Sequence, residues 1–128
     1  MAQDIKTADI AIIGTGPAGI SAAITAKIRN KEILLFGAEP VSSKVAKAHQ
    51  ILNYPGLPAV SGEELAQAYK RHLDQLQIAV TKKRVHAVYA MGSYFALQAG
   101  QEQYRADSVI LACGMTADKP FPGENEFL

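Results

Sequence analysis

The feature that most constrains this chain is the run DIAIIGTGPAG at residues 9–19. Residues 9–13, DIAII, are mostly apolar and β-branched, and a run apolar on both faces suits a central strand of a parallel sheet. Gly14, Gly16 and Gly19 follow in G-x-G-x-x-G spacing. The segment ISAAITAKIRN then places Ile20, Ile24 and Ile28 four apart, with Ala23 beside them, which predicts one apolar helical face. Pro17 falls in the first helical turn, where its missing N–H costs nothing. Residues 33–36, ILLF, predict a second strand. The order is therefore strand, glycine turn, helix, strand.

Each glycine in that turn has a separate physical task. Gly14 permits the tight exit from the strand, Gly16 lets backbone approach a ligand without an intervening Cβ, and Gly19 lets the helix pack closely on the sheet. The free N–H groups of the first helical turn then face outward, and the helix dipole adds about 0.3–1 kcal/mol for each favourable interaction with negative charge. The spacing alone is a weak signal, and the plainer reading is a strand–helix turn that happens to be glycine-rich. Strand, glycines and helix in this order point instead to the pyrophosphate of a dinucleotide. A companion acid is expected about 20 residues further on. Glu39 lies at that distance from Gly19, yet the tip of the second strand reads Phe36-Gly37. Glu39 reads equally as a ribose ligand or as a solvated loop carboxylate.

Residues 37–60 lack periodicity and contain Pro40, Pro55, Gly56 and Pro58. They predict a long connection with a short helical turn near Val45–His49, and such connections in a compact domain are usually functional. Ser61 and Glu64 form a capping-box pattern opening a second helix, with Leu65, Tyr69, Leu73 and Leu76 as its stripe and an end near Gln77. Residues 78–81, IAVT, predict a short strand. From Arg84 the period changes to two, and turn signals at Gly92-Ser93 and Gly100-Gln101 divide three strands of an antiparallel meander. Residues 108–112, SVILA, predict a return to a buried parallel strand. The fold class is thus α/β, a Rossmann-like parallel sheet with helices and an inserted three-stranded antiparallel meander.

Thirteen basic and twelve acidic residues leave a formal charge of +1, which favours neither nucleic acid nor an anionic membrane as partner. No apolar run reaches the roughly 18 residues that cross a bilayer, and a cytoplasmic protein is expected. The single cysteine, Cys113, cannot close an intramolecular disulfide. It reads as a redox thiol or, more commonly for a free cysteine, as a small buried residue at a strand end. His49, His72 and His86 are scattered without metal-ligand spacing, so no metal site is expected. Lys82-Lys83-Arg84 reads as a solvated turn. Tyr54 reads either as a cover for a ligand ring or as ordinary turn packing.

IIGTGPAGISAA, the NYPG of residues 53–56 and the VILACG of residues 109–114, in that order, resemble the N-terminal FAD domain of thioredoxin reductase-like flavoproteins. The ENEFL ending and the meander resemble that branch too. The resemblance covers essentially all of this chain but only the first part of the family's. It implies that Gly14, Gly16, Pro17, Ala18 and Gly19 contact the FAD pyrophosphate and that Glu39 lies near the adenosine ribose. It implies that Asn53 bonds near the flavin and that Val85 meets the adenine through its backbone. Ala112, Cys113 and Gly114 match the family's Ala-Thr-Gly turn beside the cofactor. Cys113 stands where a hydroxyl residue is usual, which weakens any hydrogen bond there. Residues 38–47 lack the Gly-Gly-Gln segment typical of thioredoxin reductases.

Such enzymes pass hydride from NADPH to FAD and electrons on to a disulfide, using a Cys-x-x-Cys pair, a second glycine motif and a completing C-terminal segment. None of these occurs in residues 1–128, and one cysteine cannot run dithiol–disulfide chemistry within a chain. Residues 1–128 are therefore expected to be a partial FAD-binding domain that binds FAD without turnover. NADPH would belong to the missing domain, and no residue here is expected to be catalytic. The alternatives are a non-catalytic dinucleotide-binding module, such as a regulatory subunit, and a remnant that binds nothing. An uncovered sheet face or edge also predicts self-association.

Overall fold

The computed structural model describes residues 4–115. The elements are β1 (Lys6–Ile13), α1 (Pro17–Ile28), β2 (Ile33–Phe36), α2 (Ser43–Ala46), α3 (Gly62–Gln75), β3 (Val80–Thr81), β4 (Val85–Ala90), β5 (Phe95–Ala99) and β6 (Glu102–Leu111). The ENEFL ending lies outside the described residues. The strands form one six-stranded sheet in the order β3-β2-β1-β6-β5-β4. β1 is central and parallel to both β2 and β6, β3 is parallel to β2, and β4, β5 and β6 run antiparallel to one another. This is the α/β architecture with a meander that the sequence predicts.

Both faces of β1 are covered over residues 10–13, which is why its sequence is apolar at every step there. Ile10 and Ile12 join the cluster beneath α1 and α3 with Ile20, Ala23, Leu35, Leu65, Tyr69 and Leu73. Ala11 and Ile13 face the other way, where Phe36, Leu97, Ala99, Tyr104 and Ala106 form a second cluster. The meander thus supplies the cover for the far face. Phe36 and Tyr104 meet there edge to face, with ring centroids 5.0 Å apart at 79°, a contact worth about 0.5–1.5 kcal/mol beyond the area it buries. The largest fully buried side chains are Phe36, Ile12, Ile20, Leu35 and Leu97, each contributing roughly 1.5–3 kcal/mol relative to exposure.

Several expectations need correction. Ile28 is 63% exposed, not part of a buried face. A helix turns about 100° per residue, so a spacing of four overshoots by about 40° and Ile28 ends about 80° from Ile20. The buried face is instead Gly19, Ile20, Ala23 and Ala26, small residues that bring α1 close to the sheet. The helical turn of the long connection is Ser43–Ala46 rather than Val45–His49, because Ser42 caps it, its Oγ accepting from the Lys44 N–H at 3.4 Å. Of residues 78–81 only Val80 and Thr81 pair with β2. The segment SVILA is neither separate nor buried. It continues the third meander strand as one ten-residue β6, and Ile110 and Leu111 are 38% and 70% exposed. Tyr104, Ala106 and Val109 all reach the second cluster, although strict alternation would part Val109 from the others. The β1–β6 register omits the Asp9–Asp107 step, and the alternation slips there.

Helix ends follow local rules. Ser61 caps α3, its Oγ accepting from the Glu64 N–H at 3.1 Å. Beyond the last turn of α3, the Ile78 N–H reaches the Leu73 carbonyl at 2.9 Å and the Gln77 N–H reaches Asp74 at 3.0 Å. That is a Schellman motif, with Ile78 and Leu73 packed in the same cluster. α1 ends the same way, through Lys31 to Ala26 and Asn30 to Lys27. The left-handed positions are held by Asn30 (φ 59) and Gln77 (φ 56) instead of glycine. At the opposite end of the sheet Lys83 pairs with Glu102, which also accepts from the Tyr104 hydroxyl at 2.6 Å. Lys83 first, and then Tyr104, hold the Glu102 carboxyl below its ordinary range. Both members of the pair are exposed, so its contribution to stability is small.

A left-handed residue other than glycine costs about 1–2 kcal/mol, less for asparagine. Gln77→Gly is therefore expected to raise stability by roughly 1 kcal/mol, a few degrees in Tm, and Asn30→Gly to raise it less. Thermal unfolding followed by circular dichroism checks both.

Candidate functional site

Three strand ends converge on one cleft. β1 leads into Gly14–Pro17, β2 into Gly37–Glu39 and β6 into Ala112–Gly114. With Ser42, Ser43, Lys44 and Val45 these residues line a cavity of about 430 Å³. β1 sends its connection to β2 on one side and neighbours β6 on the other. The cleft therefore lies outside the carboxyl ends of the strands where the winding reverses, the usual ligand position in open α/β sheets. A larger groove of about 600 Å³ lies at the other end of the strands, lined by Asp4, Lys6, Gln98, Glu102 and Tyr104 among others. It has no helix N-terminus and no glycine turn, so its size does not make it the better site.

The glycine turn is built by two steric demands. A Cβ at Gly14, whose φ is +123°, would lie 1.9 Å from the Ala112 carbonyl oxygen. A Cβ at Gly19 would lie 1.8 Å from the Gly14 carbonyl oxygen. The turn is fixed further by the Gly14 N–H donating to Phe36 at 2.8 Å and the Ala112 N–H donating to Ile13 at 2.8 Å. Gly16 differs from its neighbours. A Cβ there meets no protein atom within 4 Å, and its φ of −81° and ψ of −173° are open to any residue. Among the described residues, the N–H groups of Thr15, Gly16, Ala18 and Gly19 have no protein acceptor. The turn therefore offers donors and open space together, at the positive end of α1.

The structure brings together Gly14, Gly16, Pro17, Glu39, Ala112, Cys113 and Gly114 of the sequence-derived set. Gly19 lies beneath the turn, buried, and Ala18 is exposed in the first turn of α1 outside the cleft lining. Asn53 and Val85 are not at the cleft. Asn53 is exposed in a loop pinned by bridges between Ile51 and Val60 and between Tyr54 and Leu57. Val85 opens β4 at an irregularity in its pairing and packs on the second cluster. Tyr54 packs against Tyr69, ring centroids 6.1 Å apart, which is the turn-packing reading. The Tyr69 hydroxyl is buried without a well-formed hydrogen bond, and burial, with the Tyr54 hydroxyl nearby, pushes its pKa upward.

Cys113 requires a correction. It is exposed, not a small buried residue at a strand end. β6 has run past the cover of the meander by that point, so the thiol opens onto the cleft. Sequence reading missed Thr15, Gly37, Ala38 and residues 42–45 as lining. The rule that ligands sit beyond strand ends would have found Gly37 and Ala38, which directly follow β2. Nothing in the spacing marks Lys44, which reaches the cleft through the fold of the long connection.

The sequence profile of the pyridine nucleotide-disulphide oxidoreductase family matches residues 8–128. Thioredoxin reductase from Bacillus subtilis (strain 168) is 30% identical over 122 residues, covering 94% of this chain and 39% of the relative. A solved ferredoxin-flavin thioredoxin reductase from Clostridium acetobutylicum superposes with a TM-score of 0.86 at 48% identity, over 97% of this chain and 43% of that one. Lactococcus lactis thioredoxin reductase superposes at 0.78 with 27% identity, over 94% and 40%. This chain thus spans about two-fifths of the length of such relatives, in their N-terminal part. With the profile covering nearly every residue and the fold shared, the chain belongs to the pyridine nucleotide-disulphide oxidoreductase family.

Proposed function

We propose that this chain binds FAD in the cleft beyond β1, β2 and β6, as the flavin-binding part of a cytoplasmic thioredoxin reductase-like enzyme. The observation that carries this reading is Gly16. Gly14 and Gly19 are required by the protein's own backbone, whereas nothing among the described residues requires a glycine at position 16. The missing side chain there serves whatever enters the cleft, and unpaired N–H groups on both sides of it suit a diphosphate. Gly14, Gly16, Pro17, Ala18 and Gly19 would hold the pyrophosphate by backbone groups, and Glu39 would accept from the ribose hydroxyls. Ala112, Cys113 and Gly114 would border the cofactor on the β6 side. Asn53 and Val85, carried by the resemblance alone, would contribute only from outside the cleft. When bound, FAD would supply two-electron transfer between a donor and a disulfide, and the protein positions and tunes it.

The complete enzyme would take its electrons from NADPH, as family membership suggests. A second reading has support of its own. The solved ferredoxin-flavin thioredoxin reductase is 48% identical, against 27% for the solved Lactococcus lactis thioredoxin reductase. That favours a reduced ferredoxin as donor. Self-association belongs to the same proposal, since Leu111 and Met115 leave apolar surface uncovered, 70% and 84% exposed.

Three outcomes are expected. Gly16→Asp places a favoured N-cap residue on α1, so stability holds or rises by a few tenths of a kcal/mol. FAD affinity nonetheless falls on the order of a hundredfold through charge and volume, about 2.7 kcal/mol. Calorimetric titration beside thermal unfolding checks this, and undiminished FAD binding would end the pyrophosphate assignment. Anaerobic mixing of the FAD-loaded protein with reduced ferredoxin is expected to bleach the flavin's visible absorption, and an unchanged spectrum would remove the support for ferredoxin as donor. Light scattering at high concentration is expected to give dimers or larger species, and a clean monomer would oppose self-association.

A further inference from the structure

The turn after β2 is held by one buried hydroxyl. Thr15 lies between two glycines of the turn after β1 and is 5% exposed. Its Oγ1 donates to the Glu39 carbonyl oxygen at 2.8 Å, across 24 residues of chain. Its own carbonyl oxygen accepts from the Ser42 N–H at 2.9 Å. The same side chain fills the space beside Gly37, where a Cβ would come 2.4 Å from Thr15 Cγ2 and 2.5 Å from Oγ1. Gly37 in turn donates to the Thr81 carbonyl of β3 at 3.2 Å. Residues 37–42 are thus clamped from both sides. Among the described residues, the Thr15 hydroxyl makes the one hydrogen bond that ties Glu39 to the body of the protein.

A glutamate on an untethered loop loses backbone and side-chain freedom when a ligand orders it, and a tether applied beforehand removes part of that cost. We infer that Thr15 is a positioning residue that sets the cleft's selectivity for a nucleotide whose ribose carries free hydroxyls. It acts through Glu39, by holding the turn that presents this carboxylate at the cleft wall, and the inference rests on the assignment of Glu39 to the ribose in the proposed function. Thr15 and Gly37 form a matched pair in this arrangement. The branched side chain that makes the hydrogen bond occupies the volume that a side chain at position 37 would need. A merely structural hydroxyl would affect stability, and with it every ligand alike. A positioning hydroxyl affects the part of the ligand that Glu39 touches.

The test titrates the 128-residue protein with ADP and with 2′,3′-dideoxy-ADP, which has the same diphosphate and lacks both ribose hydroxyls. The wild type is expected to prefer ADP by roughly tenfold or more, the scale of a hydrogen bond to a charged acceptor. Thr15→Val keeps the shape and removes the hydroxyl, and is expected to cut that preference to about twofold while binding of dideoxy-ADP changes by less than about threefold. Thr15→Ser is expected to restore the preference. Gly37→Ala drives a Cβ against the Thr15 side chain, displaces the same turn from the other side and is expected to lower the preference with the hydroxyl still present. It serves also if Thr15→Val folds poorly. A full preference for ADP in both Thr15→Val and Gly37→Ala, or an equal loss for the two nucleotides, would overturn the positioning role and leave the dinucleotide site intact. A wild type that binds neither nucleotide would overturn the site itself. A wild type that binds both equally would overturn the ribose assignment of Glu39 and this inference with it.

Discussion

Helix α1 can rest on the turn that leaves β1 only because position 19 has no side chain. A Cβ there would fall 1.8 Å from the Gly14 carbonyl oxygen, and one at Gly14 would fall 1.9 Å from that of Ala112. These two contacts lock a helix end, a central strand end and the end of β6 into one arrangement, with no methyl group's width to spare. The depth of the cleft, the outward direction of the N–H groups at the start of α1 and the place of Ala112–Gly114 all follow from it. Dispersion and burial stabilise the sheet at many points, but these glycine contacts determine which backbone atoms face the cleft.

Much of this was legible in the sequence because the cues were local. β2 runs over Ile33–Phe36 as the apolar run ILLF predicts, α3 follows the Leu65, Tyr69, Leu73 stripe, and Ser61 caps it. What failed was what depends on distant neighbours. The exposure of Ile110, Leu111 and Cys113 cannot be read from VILAC, which resembles any buried strand. Whether such a run is covered depends on where the meander stops, and the meander covers β6 only as far as Val109. The site shows the same division. Gly14, Gly16, Pro17 and Glu39 carry a spacing rule and were found. Lys44 reaches the cleft through the fold of the long connection, which no period encodes.

The cleft combines two kinds of recognition that a single anion site would not need. Backbone N–H groups at the positive end of a helix favour negative charge. Glu39, which also lines the cleft, carries a carboxylate, which disfavours negative charge and accepts hydrogen bonds. A small anion would gain from the first and be repelled by the second. A ligand long enough to set a diphosphate against the turn and hydroxyls against the carboxylate gains from both, because its charge and its donors are separated along its length. On the proposed reading, the arrangement would select for an extended nucleotide over phosphate alone, before any contact to a base or a flavin is considered.

None of β4 or β5 lines the cleft, yet the cleft depends on them. β6 is held along its first half by β5 and along nearly its whole length by β1. Phe36, the last residue of β2, is buried against Tyr104 of β6 by the meander's cluster. The strands whose ends carry Gly37 and Ala112 are thus fixed relative to each other from the far face of the sheet. An enzyme that positions a cofactor within a fraction of an ångström needs its loops mounted on a sheet that does not shear. A parallel sheet covered by helices on one face alone would leave Ala11, Ile13 and Phe36 in water. The meander removes that cost and stiffens the cleft in the same step, which gives a physical reason for one long strand, β6, to close the meander and pair with β1.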